Sequence, residues 1–301
     1  MTAAVAAPRP TGARVWLLAA RPATLPAAIV PVLVGTGAAL HGRHELHEHI
    51  FLPILFASIL IQVGTNFAND VFDFRRGADT ERLGPMRVTQ SGLVTPRQVL
   101  IATCVTFGLA TLLGVYLVAI GGWPILAIGV VCVLAGVLYT GGPWPFGYHG
   151  LGDLVCFLTF GVLAVVGTAY LQMTAVNALV LWASIPVGCL VTAILIVNNL
   201  RDIDTDRRVG KHTLGVILGR TGTRIEYAIC VGVAYTVVVG LGLASMAGAW
   251  WWLPLLSLPL AVWLVRYVSR TDGRPLNQAL KRTGQLHLLF GVLFAVALWL
   301  G

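Results

Sequence analysis

Apolar runs, each long enough to cross a bilayer, recur along the whole chain and constrain its fold more than any other feature. A transmembrane helix needs about 20 mostly apolar residues. The sequence predicts about nine such spans, at residues 24–40, 50–68, 98–119, 123–140, 153–173, 178–199, 225–246, 249–267 and 284–300. No soluble domain fits between them. We therefore expect residues 1–301 to form a single all-α membrane domain, with residues 1–22 as an N-terminal interfacial segment.

Basic residues are distributed very unevenly between the two sides of the membrane. If the loops alternate sides, 19 of the 20 Lys and Arg residues fall on one side, and only Arg43 lies on the other. Loops rich in Lys and Arg stay in the cytoplasm. The N-terminus and the loops at 69–97, 200–224 and 266–283 are therefore predicted to be cytoplasmic, in a multi-pass protein of the inner membrane. This distribution accounts for the net charge of +8 without a nucleic-acid partner.

Two acidic clusters follow predicted spans on the cytoplasmic side. The first motif, residues 66–79, contains Asn66, Asn69, Asp70, Asp73 and Asp79. The second motif, residues 198–208, contains Asn198, Arg201, Asp202 and Asp206. If each span continues as a helix, most of these side chains recur three or four residues apart, which predicts that they share a face.

Carboxylates stacked on one helix face repel each other unless a cation lies between them. Mg²⁺ suits such sites because it binds one or two carboxylates and takes phosphate oxygens of a substrate as further ligands. A basic loop follows each motif and carries Arg87 in one case and Lys211 in the other. These cations are suited to phosphate oxygens. The residues therefore predict a site for a magnesium-bridged diphosphate at the cytoplasmic rim.

The loop at 139–153 lacks Lys and Arg and is rich in Gly, Pro and aromatic residues. Its polar side chains are candidates for contacting a second substrate: Tyr139, Tyr148, His149 and Asp153. A tight interfacial turn with belt aromatics is the alternative interpretation of this segment.

Taken together, these motifs resemble the UbiA superfamily of intramembrane prenyltransferases, and within it the 1,4-dihydroxy-2-naphthoate polyprenyltransferases of menaquinone synthesis. The resemblance covers nearly the whole chain and rests on five segments: RPATLP at 21–26, TNFANDVFD at 65–73, GPMRVTQSG at 84–92, YTGGP at 139–143, and NNLRD at 198–202 with GKHTL at 210–214. The broader superfamily has a further Asp four residues after Asp73. Here that position is Gly77 and the next acid is Asp79, a departure that resembles the naphthoate-prenylating branch.

The resemblance implies about nine transmembrane helices around a central cavity, with cap loops on the cytoplasmic side. It implies that Asp70, Asp73, Asp202 and Asp206 act in catalysis by holding Mg²⁺, supported by Asn66, Asn69 and Asn198, with Asp79 as a further metal candidate. Arg87, Arg201 and Lys211 would contact the diphosphate. The implied reaction joins a polyprenyl group to 1,4-dihydroxy-2-naphthoate, with loss of CO₂ and diphosphate, to give a demethylmenaquinone.

Three alternatives remain open at this point. Another prenyltransferase of the superfamily would use a different acceptor, such as 4-hydroxybenzoate. A secondary transporter would carry its ionisable residues near the membrane midplane, whereas these acids lie at one face. A structural subunit would tolerate changes at Asp70 and Asp202. The residues indicate no oligomeric state.

Overall fold

Helices make up nearly all the regular structure of the chain in a computed structural model, which describes residues 11–42, 45–78 and 83–301. In chain order the helices are α1 (Ala13–Ala20), α2 (Pro26–Leu40), α3 (Glu48–Arg75), α4 (Pro96–Gly121), α5 (Trp123–Leu138), α6 (Gly152–Met173), α7 (Ala178–Arg208), α8 (Leu214–Leu243), α9 (Leu258–Val268) and α10 (Leu276–Leu300). The prediction of an all-α protein is therefore confirmed. Arg43 and Asp79 lie outside the described residues.

Several helices are long and apolar enough to cross a membrane. Within residues 11–42, 45–78 and 83–301, six meet this test individually: α3, α4, α6, α7, α8 and α10. Helices α1 and α2 meet it together as a pair bent by 51°. The described residues also contain two shorter apolar helical segments, Trp123–Leu138 and Leu253–Val268. A multi-pass membrane protein is thus confirmed, while the number of nine spans stays a prediction.

Local sequence signals explain where the long helices begin. Thr95 and Gln98 form a capping box at the start of α4, each side chain bonding the backbone of the other. Asn177 caps α7 by accepting a hydrogen bond from the backbone N–H of Val180 at 3.0 Å. Such caps satisfy amide groups that have no partner inside the helix.

Helix α7 lies at the centre of the packing. Buried side chains of α2, α7, α8 and α10 form the largest apolar cluster, which includes Val34, Val187, Tyr227 and Phe290. In α7, 72% of the most apolar 18 residues are buried, compared with 22% in α4. The exposed apolar side chains of α4 are those expected to contact lipid.

Helices α6 and α7 approach each other closely through small residues. A Cβ built on Gly161 would collide with the Cα of Gly188, so the two backbones are in contact. The segment Phe157–Leu163 of α6 is wound as a π-helix at this place. Small residues allow such close helix packing in membranes, and π-helical turns often lie beside functional sites.

The second motif and residues 66–75 of the first are helical, as the spacing predicted. The first motif continues α3 as far as Arg75, and the second continues α7 as far as Arg208. Two loops then meet above them: the backbone N–H of His212 donates to the carbonyl of Tyr148 at 3.0 Å. This contact joins the loop after α5 to the loop after α7, and both loops lie beside the acidic helix ends.

Candidate functional site

A cavity of about 250 Å³ lies among α2, α3, α5, α6 and α7. Side chains from both motifs and their basic loops form its polar wall: Asn66, Asn69, Asp73, Arg87, Asn198, Asp202, Asp206 and Lys211. The preceding turns of the same helices contribute apolar side chains, among them Ile61, Val191, Ile194 and Leu195. Since the charged groups occupy the last turns of α3 and α7, the cavity is charged at one end and apolar along much of its length.

Two donors hold the carboxylate of Asp73. Arg87 donates to it through Nη2 at 2.7 Å, and the hydroxyl of Tyr148 donates at 2.9 Å. All three side chains are buried. Burial, followed by the charge of Asp73 and the hydrogen bond to it, raises the pKa of Tyr148, so its hydroxyl remains a protonated donor. The first motif therefore presents a carboxylate already paired with a cation.

Asp70 has a different role from its neighbour in the helix. Its two carboxylate oxygens accept hydrogen bonds from the backbone N–H groups of Val88 and Thr89, at 3.2 and 3.1 Å. Asp70 is only 1% exposed and is not among the residues that line the cavity. It fixes the loop that carries Arg87. We expected Asp70 to hold a metal ion. In the structure both of its carboxylate oxygens accept hydrogen bonds from backbone amides.

Arg201 is fully buried behind the cavity wall. Its guanidinium pairs with Asp202, donates to the side-chain oxygen of Asn198 at 2.9 Å, and donates to that of Asn277 at 2.8 Å. A Cβ on Gly84 would lie 2.6 Å from this guanidinium, so the loop after the first motif packs directly on it. Arg201 was expected to contact a diphosphate. The structure instead surrounds it with protein groups, and it positions Asp202.

Lys211 and Asp206 face the cavity together. The Lys211 Nζ lies 3.7 Å from a carboxylate oxygen of Asp206 and 5.2 Å from the ring centre of Tyr148. The Arg76 guanidinium lies 5.4 Å from the same ring centre. Tyr148 therefore lies beside a cation of the first motif, Arg76, and a cation of the loop after the second motif, Lys211.

The predicted acceptor contacts are distributed around the cavity and do not form one wall. Tyr139 lines the cavity. Asp153 is buried and accepts a hydrogen bond from Asn199 at 3.3 Å. His149 is exposed, and its ring stacks on Trp144 with centroids 4.4 Å apart. The fourth residue, Tyr148, donates its hydroxyl hydrogen to the carboxylate of Asp73. Only Tyr139 of this set lines the cavity.

The donor chemistry of the cavity fits Mg²⁺. Asp73, Asp202 and Asp206 offer oxygen ligands, which Mg²⁺ prefers. Within the described ranges, no three His, Cys, Asp or Glu side chains form a preassembled metal-binding group, and Asp79 lies outside those ranges. A magnesium ion bound here would therefore need oxygens from a ligand in addition to protein carboxylates, as is usual for Mg²⁺ with phosphates.

The asparagines of the motifs differ in what they present. Asn198 uses its oxygen to accept from Arg201, so its amide nitrogen remains to donate. Asn69 accepts from the hydroxyl of Thr140 at 2.9 Å. Asn66 donates to the carbonyl of Ala20 at 2.9 Å. These asparagines were expected to support a metal ion. The amide N–H groups of Asn198 are suited to donate to a phosphate oxygen.

Fold and cavity together define a class: a helical membrane protein whose internal site suits an amphiphilic ligand with a polyanionic head and a long apolar tail. The model of the UbiA prenyltransferase family matches residues 28–270. The chain belongs to this family of prenyltransferases, as its motifs predicted.

Curated relatives and solved structures agree with this assignment. The chain is 39% identical to the 1,4-dihydroxy-2-naphthoate octaprenyltransferase of Mycobacterium tuberculosis, covering 95% of this chain and 97% of the relative. It is 38% identical to the enzyme of that name from Escherichia coli, covering 95% of each. A UbiA homologue from Archaeoglobus fulgidus bound to GPP and Mg²⁺ has the same fold, with a TM-score of 0.65 and 16% identity over 95% of this chain and all of that chain.

Some residues of the site were not singled out from the sequence. Asn277 of α10 bridges Arg201 and the loop after the first motif, because its amide nitrogen also donates to the carbonyl of Leu83 at 2.9 Å. Gln62 and Thr24 form part of the cavity wall. For Gln62 the available signal was a polar side chain inside an apolar span, since such residues usually face a functional interior. Asn277 lies in the predicted loop at 266–283 and carried no such signal.

Proposed function

We propose that this protein transfers a polyprenyl group from a polyprenyl diphosphate to 1,4-dihydroxy-2-naphthoate, releasing diphosphate and CO₂. The observation that carries the proposal is the shared cavity of Asp73, Asp202 and Asp206 with Arg87 and Lys211, continued by an apolar wall. The names of the relatives support the naphthoate acceptor. The GPP and Mg²⁺ bound to the Archaeoglobus homologue support a prenyl diphosphate donor and a Mg²⁺ requirement.

The polar end of the cavity would bind the diphosphate head. Arg87 and Lys211 supply positive charge, and Asn198 supplies an N–H donor. Asp73, Asp202 and Asp206 would hold Mg²⁺, which neutralises charge on the leaving diphosphate when bound. Asp70 and Arg201 act behind this surface by fixing the first basic loop and Asp202. The apolar wall leaves the polyprenyl tail in a hydrocarbon-like environment.

Charge stabilisation at this end favours breaking of the allylic C–O bond, because both electrons of that bond move to the diphosphate. The resulting carbocation is attacked by the ring carbon that bears the carboxylate. The bond from this carbon to the carboxylate then breaks, CO₂ leaves, and the electron pair returns to the ring. The product is the hydroquinone form of a demethylmenaquinone. No proton has to be removed from that carbon, so the site needs no general base there.

The reaction is tested with purified protein in nanodiscs, a labelled polyprenyl diphosphate and 1,4-dihydroxy-2-naphthoate, with and without Mg²⁺. We expect Mg²⁺-dependent product that Asp73→Asn and Asp202→Asn reduce by at least about a hundredfold. Asp204→Asn is the matched control, because Asp204 belongs to the same helix but is exposed and paired with Arg220. Its activity is expected to remain near that of the wild type.

Two results would count against the proposal. Diphosphate release with 4-hydroxybenzoate but not with the naphthoate would keep the prenyltransferase and change the acceptor. Product formation that is indifferent to Mg²⁺ and to both substitutions would contradict the assigned site.

We also infer that the charged end of the cavity faces the cytoplasm of a cell whose inner membrane holds the protein. The excess of Lys and Arg on that side supports this orientation. The orientation is tested by replacing either Asp272 or Glu45, both exposed, with cysteine in a variant without native cysteines. Each variant is then treated with a thiol reagent that does not cross the membrane. The residue-45 cysteine should be labelled in spheroplasts, and the residue-272 cysteine only in inverted vesicles. The opposite pattern contradicts the orientation.

A further inference from the structure

A polar cluster with two buried amides lies along the cavity wall, on the membrane side of the acidic residues. Gln62 of α3 donates through Nε2 to the Thr24 hydroxyl oxygen at 3.0 Å. Asn66, one turn further along α3, donates to the same oxygen at 2.9 Å. All three side chains line the cavity. Gln62 is eleven residues before Asp73, which places it about 16 Å away along the helix axis.

The hydrogen bonds of Thr24 determine how both amides are oriented. Its hydroxyl hydrogen is donated to the carbonyl of Arg21 at 2.9 Å. The oxygen of Thr24 can therefore only accept from Gln62 and Asn66, so each amide must turn its nitrogen towards it. The Oε1 atom of Gln62 consequently points away from Thr24.

This oxygen has no hydrogen-bond partner among the described residues, although Gln62 is buried, with an exposed fraction of only 6%. A buried amide oxygen without a donor costs about 1–3 kcal/mol. Nearby hydroxyls of the cavity wall cannot supply the donor, because their hydrogens are already committed. Ser58 donates to the carbonyl of Ala28 at 2.9 Å, and Thr65 donates to that of Ile61 at 2.8 Å.

We propose that Gln62 Oε1 accepts a hydrogen bond from a phenolic hydroxyl of the aromatic acceptor, which makes the cluster of Thr24, Gln62 and Asn66 the acceptor subsite. The inference rests on the proposed prenyl transfer and assigns one of its substrates a place. An amide oxygen attracts a hydroxyl and repels a carboxylate, since the carboxylate has no hydrogen to donate. The ring would thus lie with a hydroxyl towards Gln62, between this residue and the diphosphate head.

Gln62 would accordingly select acceptors that carry the hydroxyl. A site built to bond a substrate hydroxyl discriminates strongly against an analogue without it, because the protein group is then left unpaired. Methionine has a similar shape to glutamine but offers no comparable acceptor. Gln62→Met should therefore remove the discrimination while leaving the cavity filled.

The test is a double-mutant cycle between enzyme and substrate. Wild type and Gln62→Met are assayed with 1,4-dihydroxy-2-naphthoate as substrate, and two analogues that each lack one hydroxyl, 1-hydroxy-2-naphthoate and 4-hydroxy-2-naphthoate, are added as competitive inhibitors. We expect Gln62→Met to lower kcat/KM for the dihydroxy substrate by about tenfold or more. For one analogue the same substitution should change the inhibition constant by less than about twofold. The KM for the polyprenyl diphosphate should not change.

Two further measurements separate this role from a structural one. Ser58→Ala alters another polar residue of the same wall, and it should leave the discrimination between the three naphthoates unchanged. Gln62→Met removes the unpaired buried oxygen and also the hydrogen bond that Gln62 donates to Thr24, whose oxygen still accepts from Asn66. These two changes oppose each other, so the midpoint of unfolding of Gln62→Met should stay close to that of the wild type.

Equal losses by Gln62→Met on all three naphthoates, in kcat/KM for the substrate and in affinity for the inhibitors, would overturn the assignment of the subsite while leaving the proposed reaction intact. A wild-type enzyme that does not prenylate 1,4-dihydroxy-2-naphthoate, yet releases diphosphate with another aromatic, would overturn both inferences. These two failures are distinguished by the wild-type activity alone.

Discussion

Replacing Arg201 with methionine tests whether this residue supports the site from behind or contacts the diphosphate. The Arg201 guanidinium is buried and bonds Asp202, Asn198 and Asn277. Its main partner, the Asp202 side chain, is only 13% exposed. Removing one member of a buried ion pair costs about 3–5 kcal/mol, because the other charge remains buried without compensation. We expect Arg201→Met to lower the free energy of unfolding by that order.

Arg220 provides the matched control. It also forms two short ion pairs, at 2.6 Å to Asp204 and 2.7 Å to Asp272, but these carboxylates are 63% and 50% exposed. Exposed pairs contribute only about 0.2–1 kcal/mol. Arg220→Met should therefore destabilise the protein far less than Arg201→Met, although each variant loses one guanidinium.

The assay is unfolding by titration with a denaturing detergent, followed by tryptophan fluorescence, together with the KM for polyprenyl diphosphate. The double variant Arg201→Met with Asp202→Asn should recover part of the lost stability, because the uncompensated carboxylate is removed. The reasoning would be refuted if Arg201→Met unfolded like Arg220→Met and its main defect were a raised KM for the diphosphate. That result would instead support direct contact between Arg201 and the substrate.

Three further predictions concern backbone packing and Tyr148. Gly84→Ala should destabilise the protein by about 1–3 kcal/mol in the same titration, because the new methyl meets the buried guanidinium of Arg201 at 2.6 Å; Gly108→Ala, on an open helix face, should be neutral or stabilising and is the control. Gly219→Ala should cost about 1–3 kcal/mol, because Gly219 has φ 68° and ψ 178°, a conformation nearly restricted to glycine; an unchanged unfolding midpoint would contradict this. Tyr148→Phe should lower kcat/KM by about tenfold through the lost hydrogen bond to the first-motif carboxylate. Because the pKa of this tyrosine is raised above its usual value near 10, the defect should be the same at every pH from about 6 to 9; a defect that grows or fades within that range would contradict a protonated donor.

Much of the architecture was predictable because its causes are local. Hydropathy runs indicated the membrane helices, and the spacing of Asn66, Asp70 and Asp73 indicated that α3 continues beyond its span, which the structure confirms. The same holds for Asp202 and Asp206 at the end of α7. Helix continuation depends on neighbours in sequence, so a single sequence contains the information.

The direction in which each motif residue points was not predictable in this way. Residues of one helix turn differ by about 100° each, so Asp70 is rotated roughly 60° from Asp73. The two carboxylates share a helix face in a loose sense, yet the first meets backbone amides and the second meets the cavity. Arg201 and Asp202 differ in the same way, because Asp202 lines the cavity whereas Arg201 is buried behind its wall. The helices and loops packed against a helix turn decide which of its side chains face the cavity.

The sequence by itself determined that this chain is a membrane protein of the prenyltransferase family, with two acidic helix ends and two basic loops. Hydropathy and motif spacing carry that information because they act over a few turns of one helix. The tertiary structure decided which groups meet: Tyr148 with Asp73, Asn277 with Arg201, and Gln62 with Thr24, from segments up to 76 residues apart. Such contacts follow from how helices pack and rotate against each other, and no local pattern encodes them.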